Sequence, residues 1–319
     1  HALTQEVAYN SLLVERRKII HERTARAIEQ LYTYRLDEHY TDLAHHYSRT
    51  DNVQKAVEYL HRAGQQALDR SIYGEAIGHV TRGLELLGSL PATSERNEQE
   101  LLLQIALGQA LIGTKGFSAP EVENAYVRAR ELCQRVGKID QLFQVLAGQC
   151  VFCVARADLD KARELEQQLL SLAESHQELG FLPITLGTIG VTSYLRGDLR
   201  EAQEHLVREI HLYDPQERGS SDVLAGADPR VASRSFATWV LWSLGYPDEA
   251  LKRSQEALSL ARESSHGFTL AFALCWAGLL RHLRREVHLA RERAEALIAL
   301  ANEQGFPDWL GMGMLLQGW

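Results

Sequence analysis

An alanine recurs along this chain in one setting, the start of an amphipathic segment entered from a short polar turn. "TDNVQKAVEYL", "SIYGEAIGHV", "ARADLDKAREL", "LRGDLREAQEHL", "LGYPDEALKRS" and "RREVHLARERA" align on Ala56, Ala76, Ala162, Ala202, Ala250 and Ala290. Twelve residues before each stands a small or modest residue: Ala44, Gly64, Cys150, Gly190, Thr238 and Gly278. Segments such as "DKARELEQQLLSLAES" and "DEALKRSQEALSLARES" carry apolar residues at i, i+3, i+4 and i+7. That spacing puts them on one face of a helix. A small residue on one helix and an alanine on the next let two antiparallel helices approach closely. The chain is therefore a series of helix-turn-helix units, and a fixed period calls for a repeat architecture.

The pattern resembles the tetratricopeptide repeat. "IGVTSYLRGDLREAQEHLVREI" matches best: Ile189 and Gly190 fit the first helix, Gly197 the turn, Ala202 and Leu206 the second helix, with Pro215 near the close. The units exceed the usual length of about 34 residues and lack the family's first-helix tryptophan. The fold expected is all-α, a right-handed superhelical solenoid of tetratricopeptide-like units of about 40 residues. It would occupy residues 39–319, after a helical segment at 1–38 without the repeat signature.

That first segment resembles the end of the winged-helix region that follows the ATPase core in STAND-type signalling ATPases. The residues that carry the likeness are His1-Ala2-Leu3, Ala8-Tyr9, Ser11-Leu12-Leu13, Arg16-Arg17 and His21. "LAHHYSRTDNVQKAVEYLHRAGQQA", "TKGFSAPEVENAYVRARELC" and "DPRVASRSFATWVLWSLGYPDEAL" are similar to the C-terminal repeat region of the same bacterial ATPases. Many of these also carry an adenylate or guanylate cyclase domain. The resemblance implies a sensor or protein-interaction module that regulates an ATPase domain upstream on the same polypeptide, with a protein or peptide partner. A small inducer in the groove, as in related maltose-responsive activators, and a structural or oligomerisation spacer are the alternatives. The ends, His1 and "GMGMLLQGW", read as those of a fragment.

"GQALIGTKG" (108–116) resembles a phosphate-binding loop but departs from it in order. Gly113 is followed by Thr114 before Lys115, and the preceding "ELLLQIALGQAL" is helical rather than a strand. A glycine-rich inter-helix turn is expected. "CVFC" (150–153) lies mid-helix, where buried cysteine serves as a small hydrophobe. His45 and His46 are adjacent and diverge by about 100° on a helix, so they do not chelate one ion together. No catalytic motif, cofactor or metal is expected. A net charge of −8 disfavours nucleic acid. No run of 18 apolar residues exists to span a membrane. Four cysteines in 319 residues suit a reduced, cytoplasmic protein.

In the repeat pattern, the positions one and four residues after the small residue point into the concave groove. They include Gln65, Gln109, Val151, Val154, Val191, Tyr194, Trp239, Trp242 and His282. Tyr194, Trp239, Trp242 and His282 gather an aromatic C-terminal stretch suited to anchoring a peptide or flat ligand. Packing of the tryptophans into a neighbouring repeat is the alternative. The long segment 213–230 ends in Asp228, Pro229 and Arg230, with Asp228 placed to cap a helix. Its length in a short-looped solenoid marks it as a further functional candidate.

Overall fold

A computed structural model describes residues 7, 9–176, 180–212, 226–264 and 266–318. Most of segment 213–230 therefore lies outside the described residues. Helix α1 (Val14–Leu31) leads, through a 3-10 turn (Leu36–His39), to α2 (Tyr40–Tyr47). Among the described residues, thirteen longer helices follow: α3 (Val53–Asp69), α4 (Tyr73–Gly88), α5 (Ser94–Lys115), α6 (Pro120–Val136), α7 (Ile139–Ala155), α8 (Leu159–Ser175), α9 (Leu182–Arg196), α10 (Leu199–Leu212), α11 (Pro229–Ser243), α12 (Pro247–Glu263), α13 (Gly267–Leu283), α14 (Val287–Gln304) and α15 (Pro307–Gly318). First helices start at Val53, Ser94, Ile139, Leu182, Pro229, Gly267 and Pro307, a unit of about 40 residues, longest in the middle. The chain is an all-α solenoid.

The alanine and its small partner meet in space. The Cys150 thiol lies 3.9 Å from the Ala162 carbonyl oxygen. A Cβ on Gly190 would stand 3.4 Å from the carbonyl of Ala202, and one on Gly64 would stand 3.7 Å from that of Ala76. All six aligned alanines are buried.

One turn geometry joins the two helices of five units. Ser71, Ala157, Gly197, Gly245 and Arg285 each lie five residues before the aligned alanine and each has a positive φ, between 58° and 89°. The next residue donates its N–H to a carbonyl five residues back: Ile72 to Ala67, Asp158 to Cys153, Asp198 to Ser193, Tyr246 to Leu241 and Glu286 to Arg281, at 2.8–3.0 Å. This is the Schellman closure, which satisfies carbonyls that the helix end leaves without partners. Side chains cap the following helices at Asn52, Asp158 and Asp228, each accepting from a backbone N–H.

"GQALIGTKG" is helical through Lys115, and the turn begins only at Gly116. Gly108 and Gly113 are there for aromatic rings: a Cβ on Gly108 would stand 2.8 Å from Tyr126, and one on Gly113 would collide with Tyr73. Lys115 pairs with Glu121 at 2.7 Å.

Each first helix from α3 to α15 packs on the next first helix, and the second helices are not paired in that way. First helices thus form the inner, tightly curved layer, and the concave face belongs to them. Curvature brings the two halves of the chain together. The Phe268 N–H donates to the Ser71 hydroxyl at 3.4 Å. The Phe268 ring meets Tyr73, Phe117, Phe306 and Trp309 with centroids 5.4–5.8 Å apart, mostly edge-on. Helix α1 packs on the first unit, where Glu29 accepts from the hydroxyls of Tyr47 (2.8 Å) and Tyr59 (2.5 Å).

Candidate functional site

The inner layer lines a half-open cavity of about 430 Å³. Helices α7, α9, α11, α13 and α15 each contribute to its wall, and Phe117 after α5 completes it. Val151 and Val154 (α7) and Val191 (α9) line it from the positions one and four after the small residue. On α11 and α13 the lining shifts toward the helix N-termini, to Phe236, Phe272 and Trp276, with Trp309 from α15. The inward-facing stripe thus slides along successive first helices. Phe236 and Trp276 have centroids 5.1 Å apart, and Phe272 meets Trp309 at 5.7 Å. The interior is mainly hydrocarbon and aromatic, as ligand pockets are.

Tyr194 and Trp239 border this aromatic group without lining the cavity. Tyr194 lies 6.4 Å from Phe236, and Trp239 meets Trp276 edge-on at 5.7 Å. Burial raises the Tyr194 hydroxyl above its usual pKa. Trp242, one turn on, packs with Leu241, Leu251 and Leu280. His282 follows on the last turn of α13, half-buried. Gln65 bonds Asp69 within its own helix at 3.0 Å, and Gln109 is half-buried on α5. Neither glutamine lines the cavity. Asp228 caps α11, accepting from the Arg230 N–H at 2.9 Å, and its carboxylate also holds the Arg230 guanidinium at 2.5 Å.

Three wall residues among those described hold buried polar atoms without a hydrogen-bond partner: Glu209, and Trp276 and Trp309 through their indole N–H groups; of these only Glu209 can carry a charge. Glu209, on the second helix α10, is 1% exposed, and neither carboxylate oxygen has a hydrogen-bond partner among the described residues. It stands directly behind Gly187, another wall residue: a Cβ there would lie 2.6 Å from Oε2. Burial pushes its carboxyl up to about 8; the Ser233 hydroxyl, which approaches the carboxylate without reaching full hydrogen-bond geometry, and the Arg234 charge pull it down, and Asp228 adds to the rise. A buried group left without partners is costly, and so marks a place where something is missing or function is served. Sequence reasoning did not single out Glu209. In "HLVREIHL" it looks like any solvated glutamate between basic neighbours. Among the described residues, the lining includes Glu209 and Asp308 but no lysine, arginine or histidine.

The cysteines of "CVFC" are free thiols; Cys150 is buried in the wall and Cys153 is half-buried. His46 finds its partner on α1 rather than in its neighbour, with Nδ1 of His21 and Nδ1 of His46 2.8 Å apart. Among the described residues, no group of three or more His, Cys, Asp or Glu is arranged to hold a metal ion. Also among them, no helix is long and apolar enough to cross a membrane.

The chain is similar to known proteins at three levels. A family model described as anaphase-promoting complex subunit 5 matches residues 229–284, which span α11 to α13. An uncharacterized protein of Rhizobium meliloti (strain 1021) is 24% identical over 327 residues, covering all of this chain. The chain spans 31% of that relative's length. Among solved structures, NprR in complex with its cognate peptide NprX superposes with a TM-score of 0.63 at 16% identity, over 89% of this chain and 80% of that one. The Rap conjugation gene regulator of plasmid pLS20, in complex with the Phr* peptide, gives 0.61 at 14%, over 96% and 92%. A Rap protein complexed with competence and sporulation factor gives 0.59 at 13%, over 99% and 89%. These likenesses are likenesses of fold: helical repeats of the tetratricopeptide kind.

Proposed function

We propose that this chain is a non-enzymatic sensor and protein-interaction module. It takes a peptide or partner protein on its concave face and regulates an ATPase carried on the same polypeptide. In that arrangement residues 1–38 join the repeats (39–319) to the ATPase. The observation that carries the reading is the half-open aromatic cavity lined by five first helices and bordered by Tyr194 and Trp239. Trp242 and His282 lie farther along α11 and α13, and Gln65 and Gln109 on α3 and α5 of the same inner layer, where an extended partner would run; Asp228 and Arg230 stand at the entry of α11. Structures of the same fold are solved with peptides bound, and the Rhizobium relative is about three times as long as this chain.

Selection from a displayed peptide library tests it. Selected peptides should protect the amides of α9, α11 and α13 from hydrogen exchange, lose at least ten-fold in affinity in Trp276→Ala, and alter ATP hydrolysis by the whole polypeptide. Binders that protect only second helices would overturn the groove, and unchanged hydrolysis would overturn the ATPase link.

A small-molecule receptor is the second reading. The contact of Phe268 with Ser71 and Tyr73 walls the concave face, and about 430 Å³ lies in the usual range for small ligands.

A further inference from the structure

The cavity's chemistry narrows what it can hold. Five aromatic side chains (Phe117, Phe236, Phe272, Trp276 and Trp309) supply flat apolar surface and electron-rich ring faces. Among the described residues, the two charged side chains in the wall, Glu209 and Asp308, are both acids. Asp308 sits in the first turn of α15 with its carboxylate against Gly116, at the edge of the site. Glu209 is deep, its oxygens without partners among the described residues, behind the one wall position where a side chain is missing. The Ser233 hydroxyl is the nearest neutral donor to this carboxylate, and it leaves the acid without a charged partner. A leucine of similar length would fill the space without the cost of desolvating an acid.

We propose that the cavity is a binding site for a small organic cation, an apolar body bearing one ammonium group, which enters past Gly187 and pairs with Glu209. The proposal rests on reading the cavity as a ligand site and names the ligand's class. Aromatic rings would hold the apolar body and add cation–π attraction, while Glu209 would gain the donor it lacks. The unpartnered indole N–H groups of Trp276 and Trp309 could serve a neutral acceptor on the same ligand, whereas an anion would meet two acids and, among the described residues, no cation.

Titration calorimetry with 4-phenylbutylamine and its neutral counterpart 4-phenylbutan-1-ol tests the proposal. The amine should bind at least ten-fold more tightly than the alcohol. Glu209→Gln should reduce that preference to less than three-fold without weakening the alcohol. Gly187→Ala, which puts a methyl group against the carboxylate, should weaken the amine while leaving the helical circular dichroism intact. Equal binding of amine and alcohol would overturn the cation class while leaving a ligand cavity in place. A preference that survives Glu209→Gln would overturn the role of Glu209. No binding of either compound, alongside library peptides that still protect α9 and α11, would overturn the small-molecule site and spare the peptide groove.

Discussion

Gly187 on α9 leaves room for the carboxylate of Glu209 on α10: a Cβ at 187 would lie 2.6 Å from Oε2. A buried acid is thus kept against a neighbouring helix, with no donor in full hydrogen-bond geometry among the described residues.

That placement predicts a pH-dependent cost. The carboxyl moves from an ordinary 4.5 to about 8 on folding. Between those values the folded chain holds a proton that the unfolded chain has lost, so stability falls as pH rises. Glu209→Gln removes this dependence. The variant should unfold at nearly the wild-type denaturant concentration at pH 5 and be roughly 1–3 kcal/mol more stable at pH 8. Guanidinium melts at both pH values check it; a difference that does not grow with pH would refute the buried-acid account.

The turns predict opposite effects from opposite substitutions. Ala157 and Arg285 hold φ of 58° and 59° on exposed turns, where Gly197 and Gly245 sit at 89°. Left-handed backbone costs a side-chain-bearing residue about 1–2 kcal/mol. Ala157→Gly and Arg285→Gly should therefore each stabilise by about 1 kcal/mol, and Gly197→Ala should destabilise by about as much. The midpoints of urea unfolding measure all three.

The joint between α1 and the first unit should be acid-labile. His21 is buried, and its Nδ1 faces that of His46 across 2.8 Å, with Tyr9, His45 and Arg49 nearby. Burial and then the neighbouring cations lower its pKa from 6.5 to about 4. The unfolded histidine binds a proton over that range, so the contribution is whole above pH 6.5 and is lost as pH falls toward 4. Hydrogen exchange across α1 should speed up between pH 6.5 and 4.5, after correction for intrinsic rates, by an amount worth roughly 1–3 kcal/mol. The rest of the solenoid should be spared, and His21→Phe should flatten the effect.

Thiol chemistry offers a check on the inner layer. Cys133, Cys150 and Cys275 are buried; burial pushes Cys133 up to about 11 and Cys275 up to about 12. Cys153 alone of the four is half-exposed. Native alkylation followed by mass spectrometry should label Cys153 first, the others reacting only on unfolding. Early labelling of Cys150 would mean that the wall opens.

The helix pairs were legible because each rests on a local pair twelve residues apart, such as Gly190 and Ala202, whose small size is the contact itself. The turn was legible at Gly197 and hidden at Ala157 and Arg285, where residues with no turn preference adopt the same backbone. The helical end of "GQALIGTKG" was hidden because its glycines answer to Tyr73 and Tyr126, which lie elsewhere in the chain. The aromatic wall was half legible. Counting from the small residue finds Val151 and Val191, but the twist of the solenoid moves the inward stripe back to Phe236 and Trp276. Glu209 was not legible at all, because its burial depends on α9 and α11 closing over it.

The hydrogen bond from Phe268 to Ser71 spans almost two hundred residues of sequence. An open solenoid behaves as a row of springs in series, in which each unit feels only its neighbours. Joining distant coils makes the row a loop. Bending at any one unit must then be shared by all those between Ser71 and Phe268, so a ligand that re-angles α9 against α11 also strains the clasp. Such a loop would carry a local event across the units between those two residues, and those units would soften together when the clasp is released.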